Sequence, residues 1–137
     1  MQASTRTAAE AAAALGCELG AIASSLVFMA DDGPVLILAS GAHRVDLELV
    51  ASSAGLTGLR RAPPDEVRAA TGHTIGGVAP VGHPSPLRTW VDRDLAGYAH
   101  VWASAGSTHS VFATTFEQLI ELTGGAPLRV RNDSPAR

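Results

Sequence analysis

Three observations predict a mixed α/β (α+β) fold, with one curled, barrel-like mixed β-sheet and helices packed outside it. Strand-like apolar runs and short helix-like segments are interspersed, but without the regular alternation of βαβ units. The run Val35-Leu36-Ile37-Leu38 is apolar at every position, which marks a central strand covered on both faces. The helix-like segments are short and stop at Gly16, Gly55, Gly72 and Gly124. No repeat period and no interior linker divide the 137 residues, so residues 1–137 read as a single domain with one core.

The elements follow in order. Thr7-Ala-Ala-Glu10 fits a capping box, and the alanines after it favour a helix to about Leu15. Residues 22–29 are rich in β-branched and apolar side chains, and residues 34–39 form another apolar run. Asp31-Asp32-Gly33 between them is a hairpin signal. Asp46 caps a helix to about Ala54, with Leu47, Val50 and Ala54 on one face. A short strand is expected over 57–61. Pro63-Pro64-Asp65-Glu66 then opens a short helix with acidic residues at its positive end. Residues 88–91, 99–103 and 110–114 read as strands. Residues 115–124 read as an amphipathic helix with a glycine stop, and the tail from Asn132 is polar.

Composition narrows the function. The chain is 46% hydrophobic and 17% charged, which excludes a disordered protein. Aromatics make up 4%, so the core is built of Ala, Val, Leu and Ile. All ten basic residues are arginine and the net charge is −3, which argues against a broad nonspecific grip on nucleic acid and removes lysine from every catalytic scheme. One cysteine, Cys17, cannot form an internal disulfide, so a reducing cytoplasm is the expected location. Cys17 itself reads as a small buried residue, and Trp90 and Trp102 as core or interface. The apolar runs are too short to span a bilayer, and the N-terminus lacks the apolar stretch of a signal peptide.

The most informative stretch is Thr71-Gly-His-Thr-Ile-Gly-Gly-Val-Ala-Pro-Val-Gly-His-Pro84. Four glycines, two prolines and two histidines in fourteen positions exclude helix and strand. Ile75, Val78 and Val81 are apolar residues that a solvated linker does not need. Glycines let the backbone approach a ligand, and their N–H groups can face an anion or a developing oxyanion. This loop reads as the rim of a small-molecule pocket. His73 and His83 flank it and are suited to backbone hydrogen bonds. With His109 they match no standard zinc spacing, so no metal site is expected. Asp46 reads as a helix cap rather than an acid, and Arg44 can reach a phosphate or carboxylate.

Four segments together resemble the YbaK-like, prolyl-tRNA synthetase-associated editing domain family. They are Ala21-Ile-Ala-Ser-Ser-Leu-Val-Phe28, Ala39-Ser-Gly-Ala-His-Arg-Val-Asp46, the glycine loop, and Ala105-Gly-Ser-Thr-His109. The resemblance spans most of the chain and implies a curled-sheet α/β fold. It also implies hydrolysis, in trans, of the ester joining a wrong amino acid to tRNA, usually proline tRNA. The family's glycine-x-x-x-proline loop falls on Gly76-Gly-Val-Ala-Pro80 and its glycine-x-x-histidine motif on Gly106-Ser-Thr-His109. The family lysine, in a Lys-Thr-Leu or Lys-Ser-Leu context, is replaced by Ser24 of Ser24-Ser25-Leu26. Members usually begin with a further helix and strand, and such an N-terminal element is expected to be lacking here.

What the resemblance implies for mechanism is specific. Backbone N–H groups at Gly76 and Gly77 would stabilise the oxyanion, and His109 would bind the amino group or orient water. Ser24, Ser25, Pro80, Gly106 and Arg44 would contribute to substrate binding. Ser24 and Ser25 alternate across a strand, so one of the two faces the pocket. No Gly-x-Ser-x-Gly elbow accompanies them, which argues against a serine nucleophile. No metal or organic cofactor is required. The expected partners are mischarged tRNA and a synthetase or elongation factor, with the protein a monomer or homodimer. The alternative reading is a non-catalytic aminoacyl-tRNA or nucleotide-binding module that retains the fold.

Overall fold

The computed structural model describes residues 8–42, 44–73, 78–84, 87–107 and 110–131. Helix α1 (Ala8–Leu15) ends at Gly16, whose φ is +69°. The hairpin β1 (Ile22–Ala30) and β2 (Gly33–Ser40) follows, antiparallel from Ala23↔Ser40 to Ala30↔Gly33, with its turn where Asp31-Asp32-Gly33 predicts it. Next come α2 (Leu47–Ala54), β3 (Arg60–Arg61) and α3 (Pro64–Thr71). The chain continues through β4 (Arg88–Asp92), a single-turn segment Arg93–Gly97, β5 (Val101–Ser107) and β6 (Ser110–Thr114). It closes with α4 (Phe116–Thr123) and β7 (Ala126–Leu128).

The strands form one seven-stranded mixed sheet in the order β6-β5-β1-β2-β4-β7, with β3 added to β1. β2 is antiparallel to β1 and parallel to β4, from Val35↔Arg88 to Leu38↔Val91. The outer strands β6 and β7 do not pair with each other, so the sheet is open, in keeping with a curled sheet. As its unbroken apolar run predicts, β2 is central: Val35, Leu36, Ile37 and Leu38 are fully buried. Each such side chain contributes about 1.5–3 kcal/mol of burial free energy.

The two parities of the central strands serve two separate cores. Ala23, Val27, Leu36, Leu38 and Val91 pack with Val67 of α3, Val78 of the glycine loop and Leu119 of α4. Phe28, Val35, Ile37 and Ala39 pack on the other face with Val50 of α2, Leu128 and Val130. Leu47 and Ala54 join Val50 there, the face that helical spacing predicts. Helix α1 covers Ile22 and Trp102 through Ala11 and Ala12, and Cys17 is half-buried beside them.

Local signals account for the helix ends. The Asp46 side chain accepts from Leu49 N at 3.1 Å, so Asp46 is a cap as expected. Thr115 does the same for Gln118 N at 3.1 Å. Gly55, Gly72 and Gly124 stop their helices in the left-handed conformation. The capping residue proposed for α1, Thr7, lies outside the described residues.

Three expectations are corrected. The strand expected over 57–61 is only Arg60–Arg61, because Gly58 turns the chain at φ +68° with the Asp31 carboxylate in the space a side chain would need. The strand expected over 99–103 is Val101–Ser107, displaced because Arg93–Gly97 coils and Tyr98 N bonds back to Leu95 O. β7 is not anticipated, since Gly124, Gly125 and Pro127 read as breakers. Its parallel pairing with β4 at the sheet edge accommodates the proline.

Asp92 ties the ends of the central strands together. It is 1% exposed, and its Oδ2 accepts from Ser40 N at 2.9 Å while Oδ1 accepts from Asp94 N at 3.0 Å. The Ser40 hydroxyl donates to Gly20 O at 2.8 Å. Removing the carboxylate strands the buried Ser40 N–H. Asp92→Ala is therefore expected to lower unfolding free energy by about 2 kcal/mol in a urea titration, with an unchanged slope against denaturant.

Candidate functional site

Strand β1 gives one edge entirely to β2. Its other edge is shared: β5 pairs in parallel at Ile22↔Trp102 and Ala23↔Ala103, and β3 pairs at Phe28↔Arg61 and Met29↔Arg60. Residues 24–27 lie between these ladders with no strand beside them. Backbone groups alternate along a strand. Ile22 O receives Gly41 N on the β2 side, whereas Val27 O receives Ala62 N on the other. The peptide N–H and C=O of Ser25 therefore point into the gap between β5 and β3. Among the described residues, no strand pairs with the peptide groups of Ser25 on this edge.

The same alternation separates the two serines. Ser25 lies between Ala23 and Val27 on the face that holds Val78. Its Oγ is buried and has no hydrogen-bond partner, an arrangement that costs stability unless a ligand supplies the missing bond. Ser24 shares the parity of Leu26 and Phe28, on the α2 face. Arg44 is exposed just before Val45, which also packs on the α2 face, so the structure does not bring it beside Ser25.

The glycine loop stands over the fork. Thr71 Oγ1 at the end of α3 donates to Val67 O at 2.8 Å and accepts from His73 N at 2.9 Å. His73 Nδ1 accepts from Ala79 N at 3.4 Å, and His83 Nε2 bonds Ala79 O at 2.7 Å. Val78 and Ala79 are 3% and 9% exposed, and Pro80 is buried beside them. The two imidazoles meet edge to face, 6.0 Å between centroids.

The wall opposite comes from β5. Its register to β6 shifts between Ser104 and Ser107, and Gly106 sits in that irregularity at φ +112°. Gly106 N donates to Ser104 Oγ at 3.2 Å. A Cβ on Gly106 would stand 3.4 Å from His73 Nε2, an ordinary van der Waals contact, so it is the positive φ that favours glycine here. Of the residues singled out from sequence, Ser25 lies on the face that holds Val78, Pro80 is buried next to Ala79, and Gly106 lies beside His73. Gly76, Gly77 and His109 lie outside the described residues. The backbone hydrogen bonds expected of His73 and His83 are present, both to Ala79, whereas the gap in the ladder has no signal in the sequence, because it depends on where β5 leaves β1. Among the described residues, no group of three or more His, Cys, Asp or Glu is placed to hold a metal ion. No described helix is long and apolar enough to cross a membrane.

Comparison with known proteins gives a consistent result. The family model described as "Aminoacyl-tRNA editing domain" matches residues 2–122. A crystal structure of a candidate trans-editing enzyme for prolyl tRNA synthetase superposes with a TM-score of 0.89 at 46% identity, over 96% of this chain and 83% of that one. A candidate Cys-tRNA(Pro)/Cys-tRNA(Cys) deacylase of Enterococcus faecalis is 28% identical over 87% of this chain and 73% of its own. A proline–tRNA ligase of Xanthomonas oryzae is 35% identical over 77% of this chain, which spans only 19% of the ligase.

The glycine at 106 is directly testable. Gly106→Ala forces a side chain into a positive-φ position beside His73 and is expected to cost about 1–3 kcal/mol. Chemical denaturation measures this, and the His73 ring resonances should shift. Gly97→Ala, with open space around the new methyl, is the control and should stay within about 0.5 kcal/mol of wild type.

Proposed function

The chain belongs to the aminoacyl-tRNA editing domain family, and from that premise we propose that it hydrolyses the ester of a small mischarged amino acid on tRNA, with proline tRNA the first candidate. The relatives named for trans-editing and for deacylation support this reading. The observation that carries it is the buried, unpartnered Ser25 Oγ beside free strand-edge peptide groups, on the face closed by Val78. Such a site offers donors and acceptors to a ligand without needing to break an internal bond.

In the proposed reaction, water attacks the ester carbonyl carbon. The tetrahedral oxyanion collapses, the bond to the ribose oxygen breaks, and that oxygen takes up a proton. Gly76 and Gly77 are assigned the oxyanion through their N–H groups, and His109 the amino group or the attacking water. Pro80 and Gly106 shape the walls, and Ser25 hydrogen-bonds the aminoacyl group. Ser24 stands where the family lysine is expected, so this chemistry runs without that charge. The work is assigned to the cytoplasm, where tRNA is charged.

The first experiment incubates the protein with proline tRNA charged separately with alanine, cysteine, serine, threonine and proline, and follows release of the amino acid. Release from one mischarged species, weakened by His109→Ala or Gly76→Ala, is the expected result. Protection of every ester by a folded protein would instead establish a non-catalytic binding module.

Ser25→Ala separates stability from function. It removes an unsatisfied buried hydroxyl, so stability should hold or rise by up to about 1 kcal/mol while kcat/KM falls about tenfold. Ser24→Ala, on the opposite face, should leave kcat/KM within about twofold, as expected for a side chain that makes no contact with the substrate.

A further inference from the structure

We propose that His73 and His83 are positioning residues that together hold one peptide, Ala79, and so fix where the returning arm of the glycine loop stands against β1 and β5. The proposal deepens the editing reading and assigns these two histidines a role in the same site.

Ala79 is 9% exposed, and the preceding Val78 is 3% exposed. Buried peptide groups need partners, yet no helix or strand includes residues 78–80. Two side chains do the work of a ladder: the Ala79 N–H donates to His73 Nδ1 at 3.4 Å, and the Ala79 C=O accepts from His83 Nε2–H at 2.7 Å. An imidazole nitrogen accepts only when unprotonated. His73 is therefore neutral in this arrangement, with its proton on Nε2, the atom that faces Gly106. His83 must carry its proton on Nε2.

The clamp is anchored on both sides. His73 N is held by Thr71 Oγ1, which bonds into α3 through Val67 O. The T-shaped contact of the two rings, at 70°, fixes their mutual orientation. Force is thus transmitted from α3 through Thr71 and His73 to Ala79, whose neighbour Val78 packs on Ala23 and Ala103 at the mouth of the fork. Displacing Ala79 moves the wall that faces Ser25.

Isosteric amides give a crossed test. An asparagine Oδ1 stands near the position of His Nδ1, and a glutamine Nε2 near that of His Nε2. His73→Asn and His83→Gln should therefore preserve the clamp, whereas His73→Gln and His83→Asn should break it. Two readouts are taken on the full chain: hydrogen exchange of the Ala79 amide by NMR, without ligand, and amino-acid release from the best substrate of the charged-tRNA panel. The breaking pair is expected to lose about tenfold in Ala79 protection and about tenfold in kcat with KM little changed, the effect of one hydrogen bond. The preserving pair is expected to recover both to within about threefold, since the amides restore the bond with less favourable geometry. Equal behaviour of His73→Asn and His73→Gln, or an Ala79 amide unaffected by His73→Gln, would overturn the proposal. If the wild type releases no amino acid from any tRNA, the editing reading fails, and the exchange measurement alone still decides whether the histidines hold Ala79.

Discussion

Everything that makes this molecule more than a folded sheet depends on how the second edge of β1 is divided. A strand edge carries alternating N–H and C=O groups that must be paired, hydrated or offered to a ligand. β5 takes this edge at Ile22 and Ala23, and β3 takes it at Phe28 and Met29. Between them no described strand pairs with β1 on this edge. The opening lies at the centre of the chain's hydrogen-bonded framework rather than at its rim, since β1 is flanked by β2 along its whole length. Polar groups exposed there are held by a rigid strand, which is the condition for pre-organised recognition.

The remaining architecture stiffens that floor. β2 is buried on both faces, and its partner β4 is tied to it at Asp92. One face is covered by α1 and α2, and the other by α3, α4 and the glycine loop. The asymmetry gives the two sides different tasks. The α2 face is closed by Val50, Leu56 and Leu128, apolar and filled. On the α3 face Val78 joins the core and Ala79 is held by His73 and His83. Gly106 stands in the irregular part of β5 beside His73, where its positive φ favours the absence of a side chain.

The fold was legible because its signals are local. Asp31-Asp32-Gly33 turns the hairpin, Asp46 and Thr115 cap their helices, and glycines stop them, all through bonds between residues a few positions apart. The four apolar residues of β2 announced a central strand without reference to any partner. β7 and the shortened β3 were illegible for the converse reason. A three-residue strand with a proline exists only because β4 lies beside it, and β3 is cut short by the Asp31 side chain arriving from another turn. The sequence singled out Gly106 and Pro80 by motif, but carried no signal of where the sheet brings them.

Sequence alone determined the mixed fold, the order of its main elements, the special character of the loop around His73 and His83, and the family to which these motifs point. It also determined that two adjacent serines must lie on opposite faces of their strand. Tertiary structure put Ser25 on the face of Val27 and Ser24 on that of Phe28. Strand alternation fixes relative facing, but the absolute face is set by the packing of Val27 against Val67 and Val78 and of Phe28 against Val50. The interval beside Ser25, where neither β5 nor β3 pairs with β1, was likewise decided by contacts between segments far apart in the chain. Local propensity carries no information about such contacts, because their energy arises only once the chain has folded.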